Sequence, residues 1–116
     1  MPRPTIYHNP RCSKSRQTLE LLRSKGVEPE IREYLKSPPS IAELEEVLGL
    51  LGLEPVGLMR RKEAPFKELG LDDNSKDRAT LVQAMHDNPV LIERPIVIAN
   101  GKAAIGRPPE DVLKIL

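Results

Sequence analysis

The chain has 116 residues, 39% of them apolar and 30% charged, with a net charge of +1. That length fits one domain with a real core rather than two, and the near-balance of charge argues against a general nucleic-acid or membrane surface. Its single cysteine excludes an internal disulfide framework and suits a reducing, cytoplasmic setting. Aromatic residues are scarce and tryptophan is absent, so Leu, Ile and Val must build the core. Met1-Pro2-Arg3-Pro4 leads straight into a strand-like segment with no apolar signal core. No apolar run approaches the roughly 20 residues of a membrane span. Repeats, low-complexity tracts and linkers are absent from the sequence, and nothing in it demands more than a monomer.

Thr5-Ile6-Tyr7-His8 reads as a short buried strand stopped by Asn9-Pro10. Ser13 to Lys25 has neither proline nor glycine and carries Thr18, Leu19, Leu21 and Leu22 on its apolar side, with Gly26 suited to a left-handed cap. Glu30 to Leu35 is a second strand, giving a β-α-β unit. After Pro38-Pro39, Ser40 and Glu43 form a capping box before a helix with Ile41, Leu44, Val47, Leu48 and Leu51 at helical spacing, closed by Gly52. Val56 to Leu71 is a mixed segment with Arg60-Arg61-Lys62 and a turn-like Ala64-Pro65. Asp77 to Asp87 is a further helix with Leu81, Val82 and Met85 inward, ended by Asn88-Pro89; His86 on it reads as a surface residue. Ile96 to Ala99 and Lys102 to Ile105 flank Asn100-Gly101, the dipeptide preferred in type I′ hairpins. Gly106-Arg107-Pro108-Pro109 then starts a last helix, with Val112, Leu113 and Leu116 on its buried side. The element order is that of an α/β, thioredoxin-like fold with a mixed sheet. Its helical insertion separates the N-terminal βαβ unit from the C-terminal hairpin plus helix, all within one domain spanning 1–116.

The stretch His8-Asn9-Pro10-Arg11-Cys12-Ser13-Lys14-Ser15-Arg16 carries the candidate chemistry. Cys12 stands where a strand gives way to a helix, crowded by Arg11, Lys14 and Arg16. The thiolate is the nucleophile, and a helix N-terminus beside cations favours that form; a docked oxyanion would meet the same N–H groups and positive dipole end. The alternative is a cysteine acting as a small core hydrophobe. Ser15 stands where a dithiol motif has its second cysteine, so any disulfide must form with another molecule. His8 either hydrogen-bonds near the thiol and lends it positive charge, or ends a strand and satisfies loop carbonyls. Ser15 is a candidate oxyanion or backbone ligand, against a plain helix cap. With no second histidine or cysteine nearby, no metal site is expected.

His8-Asn9-Pro10-x-Cys12-x-x-Ser15-Arg16 resembles the start of the glutaredoxin-linked arsenate reductases. Leu58-Met59-Arg60 with Glu68-Leu69-Gly70-Leu71 resembles their central motif, and Glu93-Arg94-Pro95-Ile96-Val97 and Gly106-Arg107-Pro108 their C-terminal motifs. The match runs from about Ile6 to Leu116 in the same order. It implies a thioredoxin-like fold, a nucleophilic Cys12, and anion-binding arginines at Arg60, Arg94 and Arg107. It also implies that His8 helps activate the thiol; Ser15 and Arg16, in the same loop, are further candidate substrate-binding residues. Arsenate would be the substrate, glutathione the co-substrate and glutaredoxin the electron-supplying partner, with no bound cofactor. Ser13-Lys14 departs from the Gly-Thr often found after the cysteine in the characterised reductases.

Arginine suits oxyanion binding because its planar fork engages two oxygens and stays charged, although by sequence alone any one arginine reads more readily as a solvated surface charge or a helix salt bridge, and Arg61 could take the place of Arg60. Arg94 and Arg107 each precede a proline at the hairpin edge, and the resemblance implies a cis Arg94-Pro95 bond. Two other readings compete. A glutathione-dependent thiol oxidoreductase of other specificity needs Cys12 but no oxyanion cluster. An Spx-like RNA polymerase-binding regulator would carry a Cys-x-x-Cys switch, which Ser15 interrupts. A tyrosine-phosphatase loop, resembling Cys-x5-Arg, fails on spacing because only three residues separate Cys12 from Arg16.

Overall fold

The structure, a computed structural model, describes residues 3–72 and 76–116; the Met1-Pro2 part of the N-terminal expectation lies outside them. Its elements are β1 (Thr5–His8), α1 (Ser13–Ser24), β2 (Glu30–Glu33), α2 (Ile41–Leu51), α3 (Ala64–Glu68), α4 (Arg78–Asp87), β3 (Ile96–Ala99) and β4 (Lys102–Ile105). Short 3₁₀ helices cover Pro55–Leu58, Pro89–Leu91 and Pro109–Ile115. The chain divides into two units, Met1–Ser37 with Arg94–Leu116, and Pro38–Glu93.

The first unit is a four-stranded mixed sheet in the order β2-β1-β3-β4. β1 pairs parallel with β2 and antiparallel with β3, and β3 pairs antiparallel with β4. This is the thioredoxin-like arrangement, with the helical segment inserted in sequence between the βαβ unit and the hairpin. Ile6 lies opposite Val97, and Val97 opposite Ala104. Those side chains join Leu19 and Leu22 of α1 and Val112 and Ile115 of the last turns in one core. Side chains alternate along a strand, so His8 points to the same face as Ile6, toward α1.

The local signals work as their chemistry dictates. Helix α1 ends in a Schellman motif, with Val27 N–H donating to Leu22 O at 2.9 Å and Gly26, at φ +78°, donating to Arg23 O at 3.0 Å. Asn100 and Gly101 take φ of 55° and 72°, the pair of left-handed residues that a type I′ turn requires. Strand β2 stops two residues short of the expected Leu35, because the Lys36 and Ser37 N–H groups both turn back to Glu33 O at 3.0 Å. The last helix is 3₁₀ rather than α, and this corrects its buried side. Three residues per turn align Pro109, Val112 and Ile115 inward, leaving Leu113 half-buried and Leu116 exposed.

In the second unit Ser40 and Glu43 complete the capping box, and Gly52 closes α2 in the left-handed region. Leu44, Val47 and Leu48 are buried, whereas Ile41 is exposed and Leu51 half-buried. Asp77 caps α4 by accepting from Thr80 N–H at 2.8 Å, and Leu81, Val82 and Met85 are buried together with Ala84. Ala64-Pro65 opens α3 instead of making a turn: proline in a first helical turn gives up only an N–H that has no intrahelical partner. His86 is half-buried rather than a surface residue, since its Nδ1 donates to Pro39 O at 2.8 Å.

Candidate functional site

The strand register brings three connections to one end of the sheet. Tyr7 pairs with Ile96 and Ile96 with Ile105, so the chain after β1, the chain before β3 and the chain after β4 emerge side by side. They carry Cys12, Arg94 and Arg107. Both Arg94-Pro95 and Arg107-Pro108 are cis, and Gly106 N–H donates to Pro95 O at 2.9 Å, tying the latter two connections together.

Cys12 is half-buried at the N-cap of α1, in extended backbone at φ −93° and ψ 123°. Its carbonyl accepts from Arg16 N–H at 3.0 Å, and its own N–H donates to Asn9 O at 3.0 Å. No side chain caps α1, and no acidic residue lies in its first turn. Ser13 and Lys14, which open that turn, are exposed, so the positive end of the helix dipole lies beside the sulfur with no acidic residue of its own turn to offset it.

Arg107 supplies the cation at the sulfur. Its Nη2 donates to Cys12 Sγ at 3.8 Å while its Nε donates to Arg94 O at 2.8 Å. One guanidinium thus spans two of the three connections, fixed at one edge and directed at the thiol with the other. Arg94 is half-buried, with its Nε shielded from solvent. Arg16 is exposed and donates to Pro10 O at 2.9 Å, so it braces the loop. Arg11 and Lys14 are exposed. Of the three cations that crowd Cys12 in sequence, none makes the contact that Arg107 makes from 95 residues away.

His8 and Ser15 form the support beneath the loop. Both are buried, at 6% and 0% exposure. The Ser15 hydroxyl accepts from Asn9 N–H at 3.0 Å and shares a 2.7 Å hydrogen bond with His8 Nδ1, its direction set by the imidazole tautomer. Ser15 therefore stitches the end of β1 to α1 rather than capping its own helix. Burial holds His8 below the ordinary imidazole range; Glu33 pulls the other way, and Arg23 and Arg16 reinforce the burial. The neutral ring is favoured, which suits a positioning role better than a source of positive charge.

Asn9 is the site residue that sequence reading missed. Besides receiving the Cys12 N–H, it accepts from Arg11 N–H through Oδ1 at 3.0 Å. The Asn-Pro turn signal contained it, because asparagine bonds its own backbone two residues on. Arg60 belongs to the second unit. There the Met59–Ile92 bridge and an Arg60 N–H bond to Leu91 O at 2.7 Å fix its backbone. Its guanidinium pairs with Glu63 at 3.1 Å and Glu93 at 3.8 Å, whereas Arg61 is exposed. Among the described residues no three His, Cys, Asp or Glu side chains are grouped to hold a metal ion. No helix among them is long and apolar enough to cross a membrane.

The ArsC family model matches residues 7–115 of the chain. An uncharacterized protein of Escherichia coli K12, YfgD, is 59% identical over 112 residues, covering 96% of this chain and 94% of that one. An arsenate reductase of Neisseria meningitidis serogroup A is 50% identical over 117 residues and covers both chains completely. Among solved structures, an arsenate reductase from Vibrio cholerae superposes with a TM-score of 0.96 at 50% identity, covering 98% of each chain.

Proposed function

We propose, from the premise that this chain belongs to the ArsC family, that it is a cytoplasmic, monomeric arsenate reductase using glutathione as co-substrate and glutaredoxin as partner. The observation that carries the proposal is the Arg107 guanidinium, anchored on Arg94 O and directed at the Cys12 sulfur. A cation fixed there stabilises an anionic sulfur and, once an oxyanion arrives, stands ready to oppose its charge.

Arsenate docks on the N–H groups opening α1 and on Arg94 and Arg107; the proposal extends to Arg60, which in its own unit is shared between Glu63 and Glu93. The Cys12 thiolate attacks arsenic and one arsenate oxygen leaves as water after protonation, giving a thioarsenate adduct. Glutathione thiolate then attacks the Cys12 sulfur. A disulfide forms, the sulfur–arsenic bond breaks, and its electron pair stays on arsenic, which leaves as arsenite. The chain holds no other cysteine, so glutaredoxin's thiol takes the glutathionyl group and releases Cys12. His8, Ser15 and Asn9 position the loop throughout.

Following NADPH consumption with glutathione, glutaredoxin and glutathione reductase tests this. Turnover that depends on arsenate and vanishes in Cys12→Ser is expected, with Arg94→Ala and Arg107→Ala weakening it more than they weaken alkylation of Cys12. Arsenate-independent turnover, or activity retained in Cys12→Ser, overturns the proposal, and reduction of a small disulfide at undiminished rate in the arginine variants favours a general thiol oxidoreductase.

A further inference from the structure

A groove of about 560 Å³ runs along the exposed side of α1, within the size range of small-molecule sites. Helix α1 contributes Lys14, Gln17, Glu20 and Leu21 to one wall; Pro108, Pro109 and Glu110 form the other. The Lys14, Gln17 and Glu110 side chains make no hydrogen bond or ion pair with any other described residue, so their polar groups are available to a ligand. Neither Cys12 nor Arg107 lines the groove, but each wall adjoins one of them in the chain. Lys14 follows Cys12 by two residues, and Pro108 follows the Arg107 that touches Sγ.

We propose that this groove seats the γ-glutamyl end of glutathione, with Lys14 and Gln17 receiving its α-carboxylate and Glu20, aided by Glu110, receiving its α-ammonium. The inference rests on the glutathione reading above and assigns it a place. At 1.5 Å of rise per residue, Gln17 and Glu20 lie roughly 7 and 12 Å along the axis from Cys12. In an extended γ-glutamylcysteine arm the head group lies roughly 9 Å from the sulfur by bond lengths. A thiol held in this way has its sulfur at Cys12 and its head group between those residues. The mixed charge of the walls selects this arm. The glycyl arm ends in a carboxylate alone, which Glu20 and Glu110 would repel, whereas the γ-glutamyl head carries both signs. Pro108 and Pro109 give its methylene chain an apolar surface.

The test needs no arsenate. The probes are the disulfide forms of glutathione, γ-glutamylcysteine and cysteinylglycine. The Cys12 thiolate attacks one sulfur of a probe, forms a mixed disulfide and releases the other half as thiolate, and intact-protein mass spectrometry follows the rate. Wild type should react roughly tenfold faster with the two γ-glutamyl probes than with the cysteinylglycine probe, the size of effect expected from charge-assisted hydrogen bonds. Lys14→Gln should remove most of that preference, read as the ratio of the γ-glutamyl to the cysteinylglycine rate, which a general change in thiolate reactivity leaves untouched. Glu20→Gln separates a seat from a bulk charge effect. Removing an acid should speed anionic probes if only net charge matters, but should slow the γ-glutamyl probes if Glu20 holds their ammonium. Equal rates for the three probes, a uniform loss in Lys14→Gln, or faster γ-glutamyl reaction in Glu20→Gln overturns the proposal. Failed arsenate turnover alongside a preserved γ-glutamyl preference would instead remove only the reductase reading.

Discussion

Replacing Gly106 with alanine adds one carbon where the fold has no room for it. The new Cβ would lie 2.5 Å from Thr18 Oγ1, 2.8 Å from Pro95 Cγ and 3.1 Å from Thr18 Cγ2. Thr18 is fully buried, and its hydroxyl is fastened to Lys14 O at 2.8 Å. Pro95 is a rigid ring whose carbonyl receives the Gly106 N–H. Neither neighbour is the loose end of a long side chain, so the hairpin exit must move. Overpacking of this kind costs about 2 kcal/mol. At an m-value of about 1.5 kcal/mol/M, that lowers the urea midpoint by roughly 1.3 M. Arg107 is the next residue, so the shift should also draw its guanidinium from Cys12 and slow alkylation by iodoacetamide. Thr18→Ala removes two of the three close atoms. The Gly106→Ala/Thr18→Ala double variant should therefore be more stable than the two single losses summed, by about 1 kcal/mol or more. An unchanged midpoint in Gly106→Ala, or strict additivity in the double variant, would refute the argument that this contact aims Arg107.

Ser15→Ala deprives the buried His8 Nδ1 and the Asn9 N–H of their shared partner; a loss of about 1–3 kcal/mol is expected in urea unfolding, and wild-type stability would contradict the role given to that hydroxyl. His8, held below its ordinary range chiefly by burial, takes up a proton more readily in the unfolded chain, so stability should fall as pH drops from about 7 through the folded-state value. Unfolding midpoints of His8→Gln should show a shallower slope across that window, and parallel slopes would count against the assignment. Ser40→Ala removes the side-chain half of the α2 capping box and should cost about 1 kcal/mol while leaving Cys12 alkylation unchanged, because that helix belongs to the unit without the cysteine.

Much of this architecture is legible residue by residue wherever a local rule decides the outcome. Asn100-Gly101 dictates its hairpin because both residues tolerate positive φ, and Ser40 with Glu43 satisfies helix donors that nothing else can reach. The readings that fail are those in which a local cue meets a tertiary alternative. Tyr34 and Leu35 look like strand residues because they are apolar, yet Tyr34 is 1% exposed in a turn, so its burial comes without sheet pairing. Leu113 and Leu116 fit an α-helical stripe, but the segment winds at three residues per turn and buries Ile115 instead. That segment packs against both α1 and β4, and no spacing within seven residues records those partners.

The site divides along the same line. The sequence places Cys12 at a strand-to-helix junction among Arg11, Lys14 and Arg16, and all of that is local. That Arg107 touches the sulfur is a consequence of register. Ile6 must face Val97, and Val97 must face Ala104, for the core under α1 to close. Those pairs bring the exits of β1 and β4 and the entry to β3 to one end of the sheet. A slip of one residue between β1 and β3 would turn Ile6 to the opposite face and carry His8 away from Ser15. It would also move Arg94 and Arg107 out of step with the cysteine loop. The apolar contacts that stabilise the first unit therefore also aim its chemistry, and for that reason damage at Gly106 or Ser15, neither of which bonds the sulfur, should be felt at Cys12.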